Sequence, residues 1–408
     1  MNCRYYLGHR HYHNENGGRM EMKKVLSSIL SVLLIIGLVV PSVSAAEKQA
    51  KLADNSTSAI IIERDTGEIL FEKNKDEKLP PASMTKIMTM LLIMEALEKE
   101  AITYDEMVRT SEYAASMGGS QIFLEPGEEM SVRDMLKAIA VASGNDASVA
   151  MAEHIAGTEE EFVTMMNEKA EELGLEQTHF VNVNGLPADN HYSSAHDLAI
   201  MSKELLKYED ITTFTGIYED YLRQDSDDPF WLVNTNKLVK YYPGVDGLKT
   251  GFTREAKYCL AATAEKNDMR IITVVMGAPS PKERNAQITS MLDYAFSQYQ
   301  SHKLYDRGQE MSNVKVSKGE QRQVAAITAE SVSLLTKKGE KIDDVTERIE
   351  LNEDLRAPVA KGDVIGTLII EKEGKLLNQT DLLAETDVQK ASWWSIFKRT
   401  IGKFGTAS

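Results

Sequence analysis

The sequence predicts an α+β protein: an antiparallel sheet with a helical subdomain, then a small C-terminal β-sandwich domain and an amphipathic tail helix. Strand-like apolar runs lie at both ends of residues 46–300, and helical periodicity fills the region between them. After about residue 304 the pattern changes to short strands and turns. The chain has 408 residues, 42% hydrophobic and 26% charged, which is long enough for two or three folded domains.

Residues 1–45 have the layout of a secretory signal peptide. Lys23 and Lys24 precede a largely apolar run at 25–40, and small residues follow up to Ala45. A membrane-spanning helix is the alternative, but this run is shorter than the roughly twenty residues that a span requires. Cleavage after Ala45 would remove five basic and two acidic residues and change the formal net charge from −16 to −19. We therefore expect an exported, acidic protein, which disfavours nucleic acid as a partner.

The first predicted domain, residues 46–300, begins with a β-hairpin and continues into helices. Apolar runs at 59–63 and 69–71 flank an Asp-Thr-Gly turn, the usual pattern of a hairpin. Helical periodicity follows in four segments, at residues 84–98, 132–142, 147–156 and 159–173.

The same domain is predicted to end in an antiparallel meander covered by a helix. Three short strand-like runs at 247–253, 258–264 and 270–277 are separated by polar turns. Residues 281–299 then have apolar side chains on one helical face.

The remaining chain divides into a β domain at 304–388 and a tail at 390–408. Strand candidates at 314–316, 324–327, 332–335 and 364–370 alternate with Lys-Gly and Glu-Gly turns. In the tail, Trp393 and Trp394 fall on the apolar side of a helix with basic residues on the other side. This pattern favours a peripheral anchor on an anionic membrane surface, and the alternative is a helix that packs on its own domain.

We expect no metal ion and no cofactor. The chain after Ala45 has five histidines without an H-E-x-x-H motif, and His191 and His196 are spaced too loosely for a metal site. Cys259 would be the only cysteine left, so no intrachain disulfide is possible, and its apolar surroundings predict a buried structural thiol.

Three short motifs could form a serine-based active site. Ser83-Met84-Thr85-Lys86 is predicted to open a helix, where residues three apart share a face and Lys86 can reach the Ser83 hydroxyl. The S-x-x-K pattern also occurs at Ser312 and Ser395, but neither copy lies at a predicted helix start. Backbone N–H groups at a helix start favour developing negative charge, so the first copy is the better candidate.

The other two motifs each occur once in the chain. Ser143-Gly144-Asn145 lies between two predicted helices, where a hydroxyl could relay a proton and an amide could hold a carbonyl. The simpler alternative is a pair of helix caps. Lys249-Thr250-Gly251 lies on the first meander strand, where an ammonium and a hydroxyl could bind a carboxylate and the glycine could allow a ligand backbone to approach; the alternative is an exposed strand end.

With these motifs in this order, the sequence resembles the penicillin-recognising serine acyl-transferases. The phrases around them, at 81–86, 142–147 and 244–251, are similar to the low-molecular-mass D-alanyl-D-alanine carboxypeptidases of peptidase family S11. Residues 116–120 and 230–236 are similar to the DacF type of spore-forming bacteria. The resemblance implies a penicillin-binding, transpeptidase-like catalytic fold, peptidoglycan stem peptides ending in D-Ala-D-Ala as substrates, β-lactams as inhibitors, and a role in sporulation.

The resemblance also implies a role for each motif residue. Ser83 would be the acylated nucleophile, Lys86 its proton acceptor and Ser143 a proton relay to the leaving D-alanine. The implied substrate-binding residues are Asn145, Lys249, Thr250, Gly251 and Phe252, with Phe252 contributing a backbone N–H to the oxyanion hole beside that of Ser83.

Two other functions remain open from the residues alone. A β-lactamase shares the three motifs, but no E-x-x-x-N pattern, which class A enzymes use for deacylation, occurs between Asn145 and Lys249. A non-catalytic wall-binding or penicillin-sensing module would use the β domain and the tail, but intact Ser83, Lys86 and Ser143 argue against it. The expected location is the outer face of the cytoplasmic membrane, or secretion.

Overall fold

A computed structural model describes residues 52–340, 342–352, 354–372 and 374–394. The predicted signal peptide and most of the predicted tail helix lie outside these residues. The strands are β1 Ser58–Glu63, β2 Ile69–Lys73, β3 Met107–Arg109, β4 Glu129–Ser131, β5 Glu219–Leu222, β6 Phe230–Val233, β7 Val245–Thr253, β8 Lys257–Lys266, β9 Met269–Ala278, β10 Tyr299–Tyr305, β11 Glu310–Lys315, β12 Gln323–Thr328, β13 Val332–Lys337, β14 Val345–Leu351, β15 Val364–Lys372 and β16 Lys375–Ala384.

The helices lie mainly between the second and seventh strands. The α-helices are Lys86–Glu98, Glu112–Ala115, Val132–Lys137, Asn145–Ala156, Glu159–Glu172, Ala195–Leu205, Ile211–Thr215, Leu238–Tyr241 and Pro281–Gln298. A 3₁₀ turn, Ala82–Thr85, precedes the first helix, and a π-helical turn, Ala138–Ala142, ends the third. The five long helices that the sequence predicts are present. Four have ends within two residues of the prediction, and the segment 132–142 is α-helical over Val132–Lys137 and π-helical over Ala138–Ala142.

The hairpin and the meander form one antiparallel sheet of five strands in the order β2-β1-β9-β8-β7. The sequence predicts both parts, but it does not predict that β1 pairs with β9. This pairing places the first meander strand, β7, at a sheet edge, and β7 contains the Lys249-Thr250-Gly251 motif. An edge position leaves one side of β7 open to another extended chain.

Apolar side chains cover both faces of this sheet. Along β1, Ile60 and Ile62 pack in the core under the helical subdomain, whereas Ile61 packs against the helix Pro281–Gln298. Alternate residues of a strand point to opposite faces, so a fully apolar strand is the expected sequence for a sheet covered on both sides. The helical subdomain is thus held on one face and the final helix on the other.

The C-terminal β domain has its own core. Its strands form a five-stranded sheet in the order β11-β12-β16-β15-β14 and a two-stranded sheet of β10 and β13. Their inner side chains, among them Val324, Leu334 and Leu368, form a separate apolar cluster. The predicted small β domain is therefore confirmed, although the sequence predicts only four of its strands, β11, β12, β13 and β15.

Polar contacts join the β domain to the first domain. Glu330 forms ion pairs with Lys203 and Lys207, at 3.3 and 2.8 Å, and the Ser333 hydroxyl donates to Asp65 over 2.5 Å. Burial alone would raise the pKa of Glu330, but the two lysines together hold it below its usual value. These contacts restrict movement between the two domains.

Candidate active site

Ser83 lies on a tight turn that leads into the first long helix. The turn is 3₁₀-helical over Ala82–Thr85, and the α-helix begins at Lys86, two residues later than predicted. In a 3₁₀ turn, residues three apart are nearly eclipsed. The Lys86 Nζ accordingly lies 3.3 Å from the Ser83 Oγ.

Lys86 is fully buried and is surrounded by oxygen acceptors. Its Nζ donates to the Asn145 Oδ1 over 2.6 Å and to the Asn184 carbonyl oxygen over 2.7 Å. Burial, and then the charge of Lys249, hold the pKa of Lys86 well below its ordinary value, against a smaller opposing effect of Asp146. Burial and a neighbouring positive charge both favour the neutral amine over the ammonium.

The second motif is a break between two helices. The π-helical turn Ala138–Ala142 ends at Ser143, which has a left-handed backbone with φ of 65°, and the next helix starts at Asn145. The Ser143 Oγ is buried and has no hydrogen-bond partner among the described residues. A buried hydroxyl without a partner is costly, so this oxygen is available for a substrate group or a water.

Both side-chain polar atoms of Asn145 already have partners within the protein. Its Oδ1 accepts from Lys86, and its Nδ2 donates to the Gly118 carbonyl over 2.6 Å. An amide oxygen has two lone pairs, so the Oδ1 can accept a second hydrogen bond. The Nδ2 likewise has a second hydrogen, so Asn145 has one acceptor site left for a substrate N–H and one donor left for a substrate carbonyl.

The third motif supplies two polar groups from the edge strand β7. The Lys249 Nζ is buried and donates to the Thr250 carbonyl over 3.2 Å. Burial, followed by the nearby Arg284 charge, lowers the pKa of Lys249 to about 7. The Thr250 hydroxyl donates to the Thr235 hydroxyl over 2.8 Å.

Gly251 and Phe252 follow on the same strand. A Cβ at Gly251 would lie 2.7 Å from the Pro81 carbonyl oxygen, so the missing side chain lets β7 pack against the turn of Ser83. The sequence predicts that this glycine lets a ligand backbone approach, but on the side where a Cβ would lie the space belongs to the Pro81 backbone. Phe252 is 53% exposed and stacks on Tyr258 at a ring distance of 4.4 Å.

A loop at 182–186 contacts Lys86 and the turn of Ser83, and the sequence does not predict that it belongs to the site. Its Asn184 carbonyl accepts from Lys86. Gly185 has φ of +84°, and a Cβ there would lie 1.9 Å from the Ala82 carbonyl oxygen. Thr235 and Arg284 were also missed. None of these residues belongs to a chemical motif, so only their position in the fold identifies them.

The other S-x-x-K copy in the described residues has a different geometry. Ser312 and Lys315 lie on strand β11, where residues three apart point to opposite faces. The third copy, at Ser395, lies outside the described residues. The preference for Ser83 thus agrees with the local structure of the two copies that can be compared.

Cys259 lies in the core, as the sequence predicts, and among the five histidines after Ala45 only His191 is buried. The Cys259 thiol is fully buried, and burial raises its pKa to about 11, so the predicted structural thiol is confirmed. The His191 Nδ1 accepts from the Val181 N–H, so the Nε2 has the proton and donates to the Thr85 hydroxyl over 2.8 Å. No cluster of three metal-ligating side chains occurs in the described ranges.

Two family models match the chain. One, described as D-alanyl-D-alanine carboxypeptidase, peptidase S11, matches residues 43–280. The other, described as the C-terminal domain of penicillin-binding protein 5, matches residues 299–390. Together they include both domains of the described structure.

Curated relatives match over nearly their whole length. The D-alanyl-D-alanine carboxypeptidase DacF of Bacillus subtilis is 58% identical over 384 residues, which are 93% of this chain and 98% of the relative. The D-alanyl-D-alanine carboxypeptidase DacA of Haemophilus influenzae is 33% identical over 91% of this chain and 95% of its own.

Solved structures show the same architecture. Penicillin-binding protein 5 from Haemophilus influenzae matches with a TM-score of 0.63 and 33% identity, covering 82% of this chain and 98% of that one. A penicillin-binding protein D2 from Listeria monocytogenes, solved in an ampicillin-bound form, matches with a TM-score of 0.51 and 30% identity over 59% of this chain and 98% of its own.

Proposed function

The chain belongs to the peptidase S11 family of D-alanyl-D-alanine carboxypeptidases, and on that premise we propose that it releases the terminal D-alanine of peptidoglycan stem peptides through an acyl-enzyme on Ser83. The observation that supports this assignment is the geometry of Lys86. A neutral amine has two hydrogens, and two acceptors, the Asn145 Oδ1 and the Asn184 carbonyl, lie within 2.7 Å of the Nζ. The remaining lone pair is available to the Ser83 hydroxyl at 3.3 Å.

In the acylation step, the Ser83 Oγ attacks the carbonyl carbon of the penultimate D-alanine. The hydroxyl proton passes to the neutral Lys86 amine, which exists because burial and the Lys249 charge lower its pKa. The negative charge on the carbonyl oxygen is stabilised by backbone N–H groups, those of Ser83 and Phe252 in this proposal. The C–N bond then breaks, and the acyl group stays on Ser83 as an ester.

The leaving D-alanine needs a proton on its nitrogen. We propose that Ser143 relays a proton from Lys86 to this nitrogen. The Ser143 Oγ is buried and has no hydrogen-bond partner among the described residues. Asn145, two residues further along the same motif, accepts a hydrogen bond from Lys86. The proton that Ser83 gave to Lys86 leaves by this relay with the D-alanine, so Lys86 is neutral again. Water then attacks the ester, Lys86 accepts the water proton and returns it to the Ser83 oxygen, and the shortened peptide leaves with a free carboxyl group.

The terminal carboxylate of the substrate is proposed to bind at Lys249 and Thr250. A carboxylate beside the Lys249 Nζ would raise the pKa of this amine from about 7 and keep it charged. The extended peptide would lie along the free side of β7, next to Gly251 and Phe252, by strand addition.

The family assignment supports this function over a β-lactamase or a non-catalytic module. Fast hydrolysis of a penicilloyl ester needs a group that activates water next to the ester. No E-x-x-x-N glutamate lies between Asn145 and Lys249, so the sequence offers no such dedicated base for a penicilloyl ester in addition to Lys86. We therefore propose that penicillin stays bound to Ser83 and inhibits the enzyme.

The test uses purified protein, fluorescent penicillin and the peptide diacetyl-Lys-D-Ala-D-Ala. We expect stable labelling and release of D-alanine, both lost in Ser83→Ala. Ser312→Ala is the matched control, because it removes the serine of the S-x-x-K copy on β11 and should change neither activity. Rapid turnover of penicillin would contradict the proposal in favour of a β-lactamase, and absence of labelling would favour a non-catalytic module.

We further propose that the protein is exported and held at the outer face of the cytoplasmic membrane by residues 390–408, with 46–300 as the catalytic domain and 304–388 as the β domain. A sporulation role is proposed from the similarity to the Bacillus subtilis relative.

Two tryptophans at the start of the proposed anchor support its contact with a membrane surface. Trp393 and Trp394 are 73% and 58% exposed and stack on each other. In the described residues, no helix is long and apolar enough to cross a membrane.

The anchor is tested by truncation. The Ala391 N–H donates to the Lys318 carbonyl over 2.9 Å, so deletion should begin after Ser392 to leave the β domain intact. The protein lacking 393–408 should hydrolyse the soluble peptide normally and fail to sediment with vesicles that contain anionic lipid. Sedimentation equal to that of the full chain would contradict the anchor.

A further inference from the structure

The hairpin of β5 and β6 has two exposed aromatic rings on its outer face. Tyr221 and Trp231 lie directly opposite each other in the register of the two strands, and they are 47% and 56% exposed. Leu222 and Leu232, on the other face of the hairpin, are buried in the core of the helical subdomain. We call the pair Tyr221 and Trp231 the aromatic surface. The catalytic steps above do not use it.

The hairpin is fixed to the rest of the catalytic domain on both strands' sides. The Lys137 Nζ lies 2.9 Å from the Asp220 carboxylate in the middle of β5. At the end of β5, the Arg223 guanidinium donates to both oxygens of the Glu128 carboxylate, over 2.7 and 3.0 Å. The Asn234 side chain, just after β6, donates to two backbone carbonyls, over 2.9 and 2.7 Å. The aromatic surface is therefore held in place before any ligand arrives, which lowers the entropy cost of binding.

The end of the hairpin is joined to the active site. Thr235 lies two residues beyond β6; its N–H donates to the Val141 carbonyl over 3.2 Å, and its hydroxyl accepts from Thr250 over 2.8 Å. Val141 lies two residues before Ser143. Trp231 lies four residues before Thr235, so the chain places the aromatic surface within about 14 Å of the proposed carboxylate site.

The charges around the aromatic surface limit what can cover it. Glu219 is exposed on the same face of β5, and the exposed Asp225, Asp227 and Asp228 lie in the turn between the strands. These carboxylates disfavour an anionic lipid surface, and they disfavour a second copy of this chain, whose formal net charge is −16. They accept hydrogen bonds, so they fit an uncharged partner that has apolar ring faces and many donors.

We propose that the aromatic surface binds the glycan strand of peptidoglycan, a chain of β-1,4-linked N-acetylated sugars to which the stem peptides are attached. This inference rests on the proposed function, which brings a stem peptide of the same polymer to Ser83. The C–H face of a pyranose ring would stack on Tyr221 and Trp231, and its hydroxyl and amide groups would donate to the carboxylates. A strand held in this way keeps its other stem peptides at a high local concentration near Ser83.

The binding test uses the full chain with Trp393→Phe and Trp394→Phe. Trp231 is then the only tryptophan, so its emission reports directly on the aromatic surface. We expect N-acetylchitohexaose, an uncharged β-1,4-linked hexamer of N-acetylglucosamine, to change this emission saturably. Tyr221→Thr should raise the Kd about three- to tenfold, the size of one aromatic contact. Emission that does not respond to the hexamer would overturn the proposal.

The activity test compares a polymer with a small substrate. The polymer is soluble, uncross-linked glycan with stem peptides ending in D-Ala-D-Ala, and the small substrate is diacetyl-Lys-D-Ala-D-Ala. In the double variant Tyr221→Thr/Trp231→Thr, we expect kcat/KM for the polymer to fall about tenfold, from the loss of two such contacts, and kcat/KM for the small substrate to stay the same.

Two controls separate binding from stability of the hairpin. Threonine favours strands and forms cross-strand pairs, so the double variant should keep the free energy of unfolding of the unaltered protein. Leu376→Thr makes the same kind of change at an exposed leucine of β16 and should alter neither activity. Equal losses of kcat/KM for both substrates in the double variant would assign the two rings a structural role and overturn the proposal.

The remaining outcomes distinguish other occupants and the proposed function. A response of the Trp231 emission to anionic vesicles but not to the hexamer would assign the surface to a membrane. Self-association that the double variant abolishes, without a response to the hexamer, would assign it to a second copy. Either result would overturn the glycan contact. Absence of D-alanine release and of penicillin labelling in the unaltered protein would overturn the proposed function, whereas the emission of Trp231 would still measure sugar binding.

Discussion

The Lys86 Nζ and the Asn145 Oδ1 lie 2.6 Å apart, although 59 positions separate the two residues in the chain. This contact joins the first motif to the second. It turns the asparagine oxygen toward the lysine, and the Asn145 Nδ2 is then directed to the Gly118 carbonyl. The protonation state of Lys86 therefore depends on the chemical nature of residue 145.

Asn145→Asp tests this dependence with almost no change in shape. A carboxylate within 2.6 Å of the Lys86 Nζ favours the charged ammonium and raises its pKa by about 1–3 units. We expect the rate of penicillin acylation at pH 7 to fall roughly 10- to 1000-fold and to recover partly at higher pH. Asn167→Asp, at an asparagine that contacts backbone atoms of Val163 and Phe180, is the control and should show no such pH-dependent loss.

The pH profile of kcat/KM should have limbs set by the two buried lysines. Activity should rise as Lys86 loses its proton, at a pH well below the ordinary lysine range. It should fall above about pH 7, where Lys249 in the free enzyme loses the charge that binds the substrate carboxylate. A profile that is flat from pH 6 to 9 would contradict both roles.

Arg284→Met tests the cause of the falling limb. After burial, the Arg284 charge is what lowers the pKa of Lys249, so its removal should move the falling limb to higher pH, by about one unit at most. Arg322→Met, at an exposed arginine of the β domain, should leave the profile unchanged.

Gly251→Ala should displace the nucleophile. The new Cβ would lie 2.7 Å from the Pro81 carbonyl oxygen and 3.2 Å from the Ala82 Cβ. Relief of this clash requires the backbone of the turn or of β7 to shift. Because a shift of about 1 Å at a reacting group can cost roughly 100-fold in rate, we expect a loss of this size in penicillin acylation. Gly118→Ala adds a Cβ with no atom within 4 Å and should acylate normally. Equal rates in the two variants would contradict the packing argument.

The buried His191 should make the stability of the folded protein depend on pH in the acidic range. Burial, with a smaller effect of His179, lowers the pKa of His191 to about 4, so the folded protein keeps this ring neutral. The unfolded chain binds a proton near pH 6.5, so stability is full above that pH and is lost as the pH falls toward 4. We expect the free energy of unfolding to drop by about 2 kcal/mol between pH 7.5 and 5 from this group alone.

His191→Gln removes the titrating group and should flatten this part of the stability profile, measured by urea unfolding at the two pH values. His302→Gln, at a partly buried histidine of the β domain, is the control and should keep the drop. An unchanged pH dependence in His191→Gln would show that other groups cause it.

The sequence predicts those helices and strands in which the arrangement of apolar residues follows the buried faces. The hairpin, the long helices and the meander are periodic because one or both faces are buried. No apolar pattern predicts β14, because this strand is mostly exposed, has charged side chains and lies at the edge of its sheet. The pattern of β16 is also unclear in the sequence, because buried Asn378 and Thr380 interrupt the apolar alternation; the Asn378 side chain donates to the Ser333 carbonyl.

The order of the domains and the identity of the three motifs can be read from the amino-acid sequence, because strand and helix periodicity and the choice of reactive side chains are local properties. How the motifs act together depends on contacts between distant parts of the chain. The pairing of β1 with β9 places β7 at a sheet edge. Gly251 then lets β7 pack against the turn of Ser83. Asn145 and Asn184, from distant parts of the chain, accept hydrogen bonds from Lys86. The pKa of a buried amine depends on all the groups around it, and the chain brings those groups together only when it folds.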